Sequence, residues 1–276
     1  MKEFLLKLLL AAYTEQRNAS KDVVETDKDI VTECDLAIGA MIKAEIAKCE
    51  FPIKLVTEEY SNAITNCKNP EYTIYVDELD GTDNAFRGIN MLPSVTLLQV
   101  AHTASEDVKF GDFIMVGAVE HSSRTVYVAE KGKGIEKYTI DDVGDYMMLT
   151  PCGLRPRHPK QSVVITDVYS MMKEIDVLAA IASRYQTKDF GASAATYLWV
   201  AEGIFEAYAS SHKKGHELPL LYLLCKEVGV KMTDFAGREY DDVGYDFNST
   251  RYQVIAGIDS VHADLVNVLK KFAKEM

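Results

Sequence analysis

Residues 72–86 read YTIYVDELDGTDNAF, and the interpretation of the whole chain starts from this stretch. Its first part, residues 72–76, is β-branched and aromatic, which predicts a buried strand. Four acids without an intervening base follow at Asp77, Glu78, Asp80 and Asp83. A run of charges is usually a solvated turn. Here, however, the run begins where a buried strand ends, which is where α/β proteins place ligand sites.

The spacing of these acids also bears on metal binding. Like charges packed this closely repel each other, and a divalent cation would remove that cost. Carboxylate oxygens suit Mg²⁺ or Ca²⁺ and not zinc. Gly81 permits a close backbone approach or an unusual φ angle beside Asp80. The residues alone leave two readings open, a metal site and a solvated turn, and the spacing does not fit an EF-hand loop.

The composition outside this stretch limits the possible functions. The chain has 276 residues, of which 47% are hydrophobic, so it has room for one large domain or two moderate ones with a real core. Thirty Lys and Arg against 42 Asp and Glu give a net charge of −12. We therefore expect no nucleic-acid partner and no anionic-membrane partner, because both would need a basic face.

The N-terminus and the cysteines indicate a cytoplasmic protein. Residues 1–16 resemble a signal peptide, but Lys7 interrupts the apolar run, and the leucine spacing favours an amphipathic helix instead. No apolar stretch approaches the roughly 20 residues that span a bilayer. Five scattered cysteines without a Cys-x-x-Cys pair argue against disulfides and structural zinc, so we expect reduced thiols.

The remaining pattern alternates strands and helices, which favours α/β layering. It predicts helices over 27–47, 169–183 and 218–228, and strands over 51–56, 94–102, 113–120 and 204–209. The periodicity weakens between 141 and 159, where three prolines occur. We therefore place a boundary near residue 150, between an N-terminal α+β part (1–150) and a C-terminal α/β part (151–276).

Several motifs along the chain together resemble one protein family. The stretch from Val76 to Phe86 resembles the Asp-Pro-Ile/Leu-Asp-Gly-Thr-x-Asn-Phe signature of inositol monophosphatase-like phosphatases. Further likenesses follow in the family's order over nearly the whole chain: DIVTECD at 29–35, VTEE at 56–59, AEKGKG at 129–134, GASAA at 191–195, VAEG at 200–203 and EVGVKMTDFAG at 227–237. Each piece is weak alone, but the ordered set is specific.

The resemblance implies a layered α-β-α-β-α sandwich and Mg²⁺-dependent hydrolysis of phosphate monoesters, with two or three ions that clamp the phosphate and activate a water. Carried over position by position, the implied metal ligands are Glu58, Asp77, the Leu79 carbonyl, Asp80 and Glu217. Asp35 and Thr82 would orient and deprotonate the attacking water. The implied substrate contacts are Gly81, Thr82, Asp83, Ser193 and Ser210. Glu59 remains the alternative to Glu58, and the family often forms homodimers.

Three positions depart from the family pattern. Glu78 stands where the family has proline, which puts the role of the Leu79 carbonyl in question. Glu217 stands where the family has its last metal-binding Asp, and the extra methylene would shift an ion by about 1 Å. Ser210 replaces the acid that contacts inositol hydroxyls, which weakens the case for inositol phosphate itself.

A basic stretch beside Glu217 adds a further question. It comprises His212, Lys213, Lys214 and His216, and two interpretations stay open. It is either an exposed loop or a contact, through Lys213 and Lys214, for an anionic group of the substrate.

Three functions follow from these features. The first is a phosphatase that acts on a small phosphorylated alcohol or sugar. The second is a nucleotide phosphatase of the 3′-phosphoadenosine 5′-phosphate type; such enzymes usually continue Asp-Gly-Thr with Lys-Glu, whereas this chain reads Asp83-Asn-Ala-Phe86. The third is a non-enzymatic relic that binds a metal or an anion. The retained acids argue against the relic, since it would have no reason to keep them.

Overall fold

The computed structural model describes residues 1–25, 30–60, 62–88, 91–103, 107–141, 146–148, 163–249 and 251–274. Within these ranges the strands are β1 (Val23–Glu25), β2 (Val31–Thr32), β3 (Ile53–Thr57), β4 (Ile64–Thr65), β5 (Tyr72–Asp80), β6 (Val95–His102), β7 (Phe113–Glu120), β8 (Thr125–Glu130), β9 (Gly134–Ile140), β10 (Tyr146–Met148), β11 (Val163–Thr166), β12 (Gln186–Lys188), β13 (Ala207–Lys213), β14 (Lys231–Thr233) and β15 (Tyr252–Gly257). The helices are α1 (Lys2–Asn18), α2 (Glu33–Lys48), α3 (Thr82–Phe86), α4 (Val168–Met171), α5 (Ile175–Ala182), α6 (Ser193–Ala201), α7 (Leu218–Val228) and α8 (Asp259–Leu269).

Helices and sheets alternate in five layers. The large sheet has the strand order β10-β9-β8-β7-β6-β5-β3-β4, and the small sheet has the order β12-β11-β13-β15-β14. Helices α1 and α2 pack on the outer face of the large sheet, and α6 and α7 lie between the two sheets. Helices α4, α5 and α8 pack on the outer face of the small sheet. The predicted α-β-α-β-α sandwich is confirmed.

The apolar pattern of the strands explains why helices cover both faces of the large sheet. On β6, Leu98 and Val100 belong to the core under α1 and α2, while Val95 and Leu97 belong to the core under α6 and α7. A strand that is buried on both faces reads as a continuous apolar run, as this one does. Burial of each such side chain contributes about 1.5–3 kcal/mol.

Strand β5 differs from the prediction because it continues through the acids instead of ending before them. Its pairing with β6 shifts register: Asp77 lies opposite Leu97, and Asp80 lies opposite Val95. Three steps along β5 therefore match two along β6, which is a β-bulge. In a regular strand, residues three apart face opposite sides. The bulge is what allows Asp77 and Asp80 to serve one site.

Other predicted elements were correct in kind but wrong at their ends. The helix predicted over 27–47 is α2, which begins at Glu33 because Thr32 caps it, with β2 before it; residues 27–29 of that prediction lie outside the described residues. The strand predicted over 204–209 starts at Ala207, because the turn after α6, with Gly203 at φ +69°, takes up the preceding residues. The helix predicted over 169–183 is divided between α4 and α5. The helix over 218–228 is confirmed.

The predicted boundary near residue 150 lies outside the described residues. On either side of it, residues 53–148 supply the large sheet and residues 163–257 supply the small one. The second half also contributes α6 and α7 to the core beneath the large sheet. In the part of the chain that the structure describes, no helix combines the length and the apolar character needed to cross a membrane.

Candidate active site

A cavity of about 590 Å³ is lined by residues from both sheets and from the helices between them. The predicted site residues that line it are Glu58, Asp77, Leu79, Asp80, Gly81, Thr82, Asp83, Ser193, Lys213, Lys214 and Glu217. Asp35 lies behind Thr82 and reaches the cavity through it. Ser210 is not among the lining residues, and its hydroxyl is fully buried. The fold thus brings together side chains that are more than 150 positions apart in sequence.

Two groups of potential ligand atoms meet at Asp77. One group is Glu58, Asp77 and His216, and the other is Asp77, Asp80 and Glu217. Within each group the ligand atoms lie within 4.8 Å of one another. The imidazole Nε2 of His216 lies 3.6 Å from Glu58 Oε1 and 3.7 Å from Asp77 Oδ2. Glu58, and not Glu59, belongs to these groups.

The electrostatics of Asp77 indicate a position that is incomplete without a cation. The side chain is only 2% exposed, and its Oδ1 has no hydrogen-bond partner among the described residues. Burial, followed by the charges of Glu58, Asp80 and Glu217, raises its pKa well above the ordinary value. Burial and Glu217 likewise raise the pKa of Asp80 to about 8. The donor set therefore fits a hard divalent ion, which would relieve this repulsion.

Gly81 is the turn that carries the chain from β5 into α3. Its φ is +82°, and a Cβ at this position would lie 2.8 Å from the Pro93 carbonyl oxygen and 2.9 Å from Ala192 Cβ. Only glycine meets both conditions without strain. The turn places Thr82 at the start of α3, directly after the acids. Because α3 has a single turn, its dipole contributes little to the field in the cavity.

Thr82 and Asp35 form a hydrogen-bonded pair at the edge of the cavity. Thr82 Oγ1 lies 3.1 Å from Asp35 Oδ1 and 2.7 Å from the Leu79 carbonyl oxygen, and can donate to either. Asp35 is the third residue of α2, where its other oxygen accepts the Thr32 N–H at 2.9 Å in a capping box. Burial raises the pKa of Asp35, while the bonds from Thr32 and Thr82 oppose that shift. The capping box thus holds a buried carboxylate at a set orientation toward Thr82.

Lys213 and Glu217 form an ion pair inside the cavity. Lys213 Nζ lies 2.6 Å from Glu217 Oε2, and the side chains are 3% and 5% exposed. Burial alone would raise the pKa of Glu217, but Lys213 and His216 hold it well below the ordinary value. Lys214 lies nearer the surface, 38% exposed, with Nζ 3.4 Å from Glu58 Oε1. Three members of the basic stretch, Lys213, Lys214 and His216, therefore line the cavity, whereas His212 does not and lies beside Glu174 instead.

Glu78, the departure from the family's proline, is 1% exposed. Burial, followed by the charges of Glu59 and Glu58, raises its pKa well above the ordinary value. Its carboxyl packs against Gly39, where an added Cβ would lie 2.9 Å from Glu78 Oε1. Leu79 still lines the cavity, and its carbonyl oxygen lies 2.7 Å from Thr82 Oγ1. Glu78 in place of proline therefore does not move the Leu79 carbonyl away from the other predicted site residues.

Two acids and a histidine line the cavity although the sequence interpretation assigns them to neither ligands nor substrate contacts: Asp167, Asp189 and His216. Asp167 directly follows the buried strand β11, so the strand-end rule that singles out Asp77 applies to Asp167 as well. His216 precedes Glu217 and was assigned only to the basic stretch. Asp189 follows β12, which the sequence pattern does not predict, so no signal pointed to it.

A family model and a related protein each match most of this chain. The model of the inositol monophosphatase family matches residues 3–271. The bifunctional NADP phosphatase/NAD kinase of Methanococcus maripaludis is 26% identical over 226 residues, which is 78% of this chain. The match takes up only 38% of that protein's length.

Solved structures show the same fold. The extragenic suppressor protein SuhB of Bartonella henselae superposes with a TM-score of 0.78 and 19% identity, over 99% of each chain. Staphylococcal inositol monophosphatase-1 superposes with a TM-score of 0.71 and 17% identity, over 97% of this chain and 91% of the other. At these identities the likeness concerns the fold alone.

Proposed function

The chain belongs to the inositol monophosphatase family, whose members are metal-dependent phosphatases, and from this premise we propose that it hydrolyses a small phosphorylated metabolite with Mg²⁺ as cofactor. The observation that carries the proposal is the convergence of Glu58, Asp77, Asp80 and Glu217 on one cavity, next to the Thr82–Asp35 pair. Phosphoryl transfer needs positioning and charge neutralisation more than covalent chemistry, and this cavity provides groups for both.

The acids of the two groups that meet at Asp77, with the Leu79 carbonyl, are the proposed holders of Mg²⁺. The resemblance predicts two or three ions, and the two groups provide places for two of them. When bound, Mg²⁺ supplies charge neutralisation for the phosphate and lowers the pKa of a coordinated water. Without it, the same acids would repel a phosphate from the cavity.

Thr82 and Asp35 are the proposed path for the proton of the attacking water. The water gives its proton to Thr82 Oγ1 while Thr82 passes its own proton to Asp35 Oδ1, 3.1 Å away. A carboxylate whose pKa is raised by burial is a better base than an exposed one, which suits Asp35 to this role. The capping box keeps Asp35 oriented while the proton moves.

The proposed substrate contacts surround the acids. The groups proposed to contact the phosphate are the backbone N–H groups of Gly81 and Thr82 and the side chains of Ser193 and Lys214, since all four residues line the cavity. Asp83 is half-exposed and pairs with Arg87 at 2.8 Å, so it is a contact only at the rim. Groups of this kind suit a phosphate and hydroxyls beside it, which supports the proposal of a phosphorylated alcohol or sugar.

A nucleotide phosphate is the second candidate substrate. The likeness to a bifunctional NADP phosphatase/NAD kinase favours it, since that match covers 78% of this chain. The DGTDN sequence at 80–84 favours the alcohol or sugar instead. The two candidates share the proposed chemistry and differ in what the outer part of the cavity must accept.

A panel of phosphate esters tests the proposal. The purified chain is incubated at millimolar Mg²⁺ with inositol monophosphate, fructose 1,6-bisphosphate, 3′-phosphoadenosine 5′-phosphate and NADP, and released phosphate is measured. Release that EDTA abolishes and Mg²⁺ restores is the expected result. The preferred ester then decides between the two substrate classes, whereas no release from any of the four contradicts the proposed activity.

We also propose a compartment and an assembly state for the protein. Four cysteines lie in the described part of the chain, and all four are free thiols. This supports a reducing compartment, and we propose the cytoplasm. A homodimer is proposed from the family resemblance, and sedimentation of the purified chain would test it.

A further inference from the structure

A second cavity, of about 410 Å³, lies apart from the proposed active site, and the two cavities share no described lining residue. Its wall comes from α1 and the chain just after it, from α3 and the loop that follows, and from the turn between β7 and β8. Three cations line it, Arg17, Lys21 and Arg124, whereas none of its described lining residues is acidic. In a chain of net charge −12, such a cavity is a place that attracts small anions.

His121, which also lines this cavity, has a buried nitrogen without a partner. The residue is 7% exposed, and its Nδ1 has no hydrogen-bond partner among the described residues. Thr96 Oγ1 donates its single proton to the Glu78 carbonyl oxygen at 2.7 Å and lies 2.9 Å from His121 Nε2. Nε2 must therefore carry the proton of the neutral ring, which leaves Nδ1 as an acceptor. Burial, followed by the charge of Lys21, lowers the pKa of His121 to about 3, so the ring is neutral near pH 7.

Arg124 ends the turn between β7 and β8 in a conformation that does not favour arginine. Its φ is +56°, a left-handed value that is uncommon outside glycine and asparagine. The Glu120 carboxylate already holds the turn, since it accepts the N–H groups of Ser122 at 3.0 Å and Ser123 at 2.8 Å. Glycine or asparagine at position 124 would form the same turn with less strain. Turn geometry therefore does not account for the arginine, whose position gives the cavity its third cation.

We propose that this second cavity is a binding site for hydrogen phosphate. The charge of the anion meets Arg17, Lys21 and Arg124, and its remaining P–O–H group donates to His121 Nδ1. Cations supply the strong, charge-assisted hydrogen bonds of such a site. The neutral acceptor adds selectivity, because it rewards an anion that keeps a proton and leaves an unpaired acceptor beside one that does not. The inference does not rest on the proposed activity.

Helix α3 is the wall that the two cavities share. Thr82 and Asp83 line the proposed active site, while Asn84 and Ala85 line the second cavity. The Asn84 amide donates to the Pro93 carbonyl at 2.9 Å and to the Phe190 carbonyl at 2.8 Å, which fixes the helix between them. The two sites are therefore adjacent but built from different residues, and variants can change one without touching the other.

Calorimetric titration of the full-length chain with inorganic phosphate in EDTA tests the inference. Without a metal ion, the acids of the proposed active site repel phosphate, so the heat reports on the second cavity. The wild type should bind one phosphate per chain, and Arg124→Gln and Lys21→Gln should each weaken binding about tenfold or more. Glutamine at position 124 keeps a Cβ and therefore the same backbone strain. Lys226→Gln is the matched control, because Lys226 pairs with Asp241 at 2.7 Å away from the cavity, and it should bind like the wild type.

A comparison of anions tests the role of His121. At about pH 8 and constant ionic strength, sulfate and methyl phosphate carry no proton to donate, whereas hydrogen phosphate keeps one. The wild type should therefore bind inorganic phosphate about tenfold or more tightly than either of the other two anions. His121→Phe keeps the ring that stacks on Tyr13 and removes the acceptor, so it should lose this preference. The comparison on the wild type stands even if that variant does not fold.

Three outcomes would overturn the inference. A wild-type chain that binds no phosphate in EDTA has no such site. Phosphate binding that is unchanged in both Arg124→Gln and Lys21→Gln takes place elsewhere on the chain. Sulfate or methyl phosphate that binds as tightly as inorganic phosphate would show that the cavity does not select hydrogen phosphate.

The inference and the proposed activity can fail separately. Phosphate binding that follows the expected pattern, with no phosphate released from any ester, would support the inference and contradict only the proposed activity. Mg²⁺-dependent phosphate release by a chain that binds no phosphate in EDTA would overturn the inference alone. Arg124→Gln should keep that release, because Arg124 does not line the proposed active site.

Discussion

Replacement of Asp77 by Asn should stabilise the metal-free protein while it abolishes activity. The substitution keeps the shape of a side chain that is 2% exposed and removes its charge from among Glu58, Asp80 and Glu217. A residue that serves only the fold would lose stability on such a change. If the residue lies among like charges because it binds an ion, removal of its charge should instead stabilise the metal-free protein.

The size of the gain can be bounded from the structure. The ordinary pKa of the Asp77 carboxyl is 3.8, about 3 pH units below neutrality. If the carboxyl stays ionised at pH 7, its repulsion costs at most about 4 kcal/mol, because beyond that it takes up a proton. A buried Asn amide without hydrogen-bond partners costs about 1–3 kcal/mol, which reduces the stabilisation gained by removing the charge. The net gain in EDTA should therefore be at most about 1–3 kcal/mol.

Urea unfolding in EDTA and in saturating Mg²⁺ measures this prediction. Ligand at 100 times its dissociation constant stabilises the wild type by about 2.7 kcal/mol, and Asp77→Asn should gain nothing from Mg²⁺. The free energy of unfolding of Asp77→Asn should therefore exceed that of the wild type by less when Mg²⁺ is added, or should fall below it. Phosphate release by the variant should fall to background.

Asp234→Asn is the matched control, because Asp234 is also buried but accepts hydrogen bonds from Arg238 N at 2.8 Å and Arg238 Nε at 2.6 Å. It should lose about 1–3 kcal/mol in either buffer, because the Arg238 side chain is 45% exposed and water can solvate it once the pair is broken. The reasoning is refuted if Asp77→Asn is less stable than the wild type in EDTA, or if Mg²⁺ stabilises both proteins equally.

Three further substitutions test separate parts of the structure. Gly81→Ala should lower Mg²⁺-dependent turnover at least tenfold and cost about 1–3 kcal/mol in urea unfolding, since its Cβ would meet the Pro93 carbonyl at a positive φ; unchanged turnover would contradict this. Thr82→Val should lower kcat by about 10²–10⁴-fold with little change in KM, because the proton path to Asp35 is lost; a wild-type kcat would remove Thr82 from the mechanism. Burial lowers the pKa of His121 to about 3, below its ordinary 6.5, so its contribution to stability is complete above pH 6.5 and is lost as the pH falls toward 3. By pH 5 this loss amounts to roughly 2 kcal/mol, and His121→Gln should show a correspondingly shallower fall of urea-unfolding stability between pH 6.5 and 5; an equal fall in both proteins would contradict it.

The sequence by itself determined the layered fold and most of the acids at the site. A strand that is buried on both faces has apolar residues at successive positions, so it can be recognised in the sequence as a continuous apolar run. Strands β5 and β6 follow that rule. Asp77, Asp80 and Gly81 stand out because they directly follow a run of residues that predicts a buried strand, and α/β proteins place ligand sites at strand ends. The ordered motifs then extended the interpretation to Asp35, Glu58 and Glu217.

Tertiary structure alone decided which of these residues lie next to one another. The bulge in β5, which turns Asp77 and Asp80 toward one cavity, depends on the pairing with β6, and no local pattern encodes that pairing. The contact of Lys213 with Glu217 likewise depends on the register shift between β13 and β15. In sequence the two lysines beside Glu217 look equivalent. Packing buries Lys213 and leaves Lys214 partly exposed. Burial depends on the neighbours that the fold supplies and not on the residue itself.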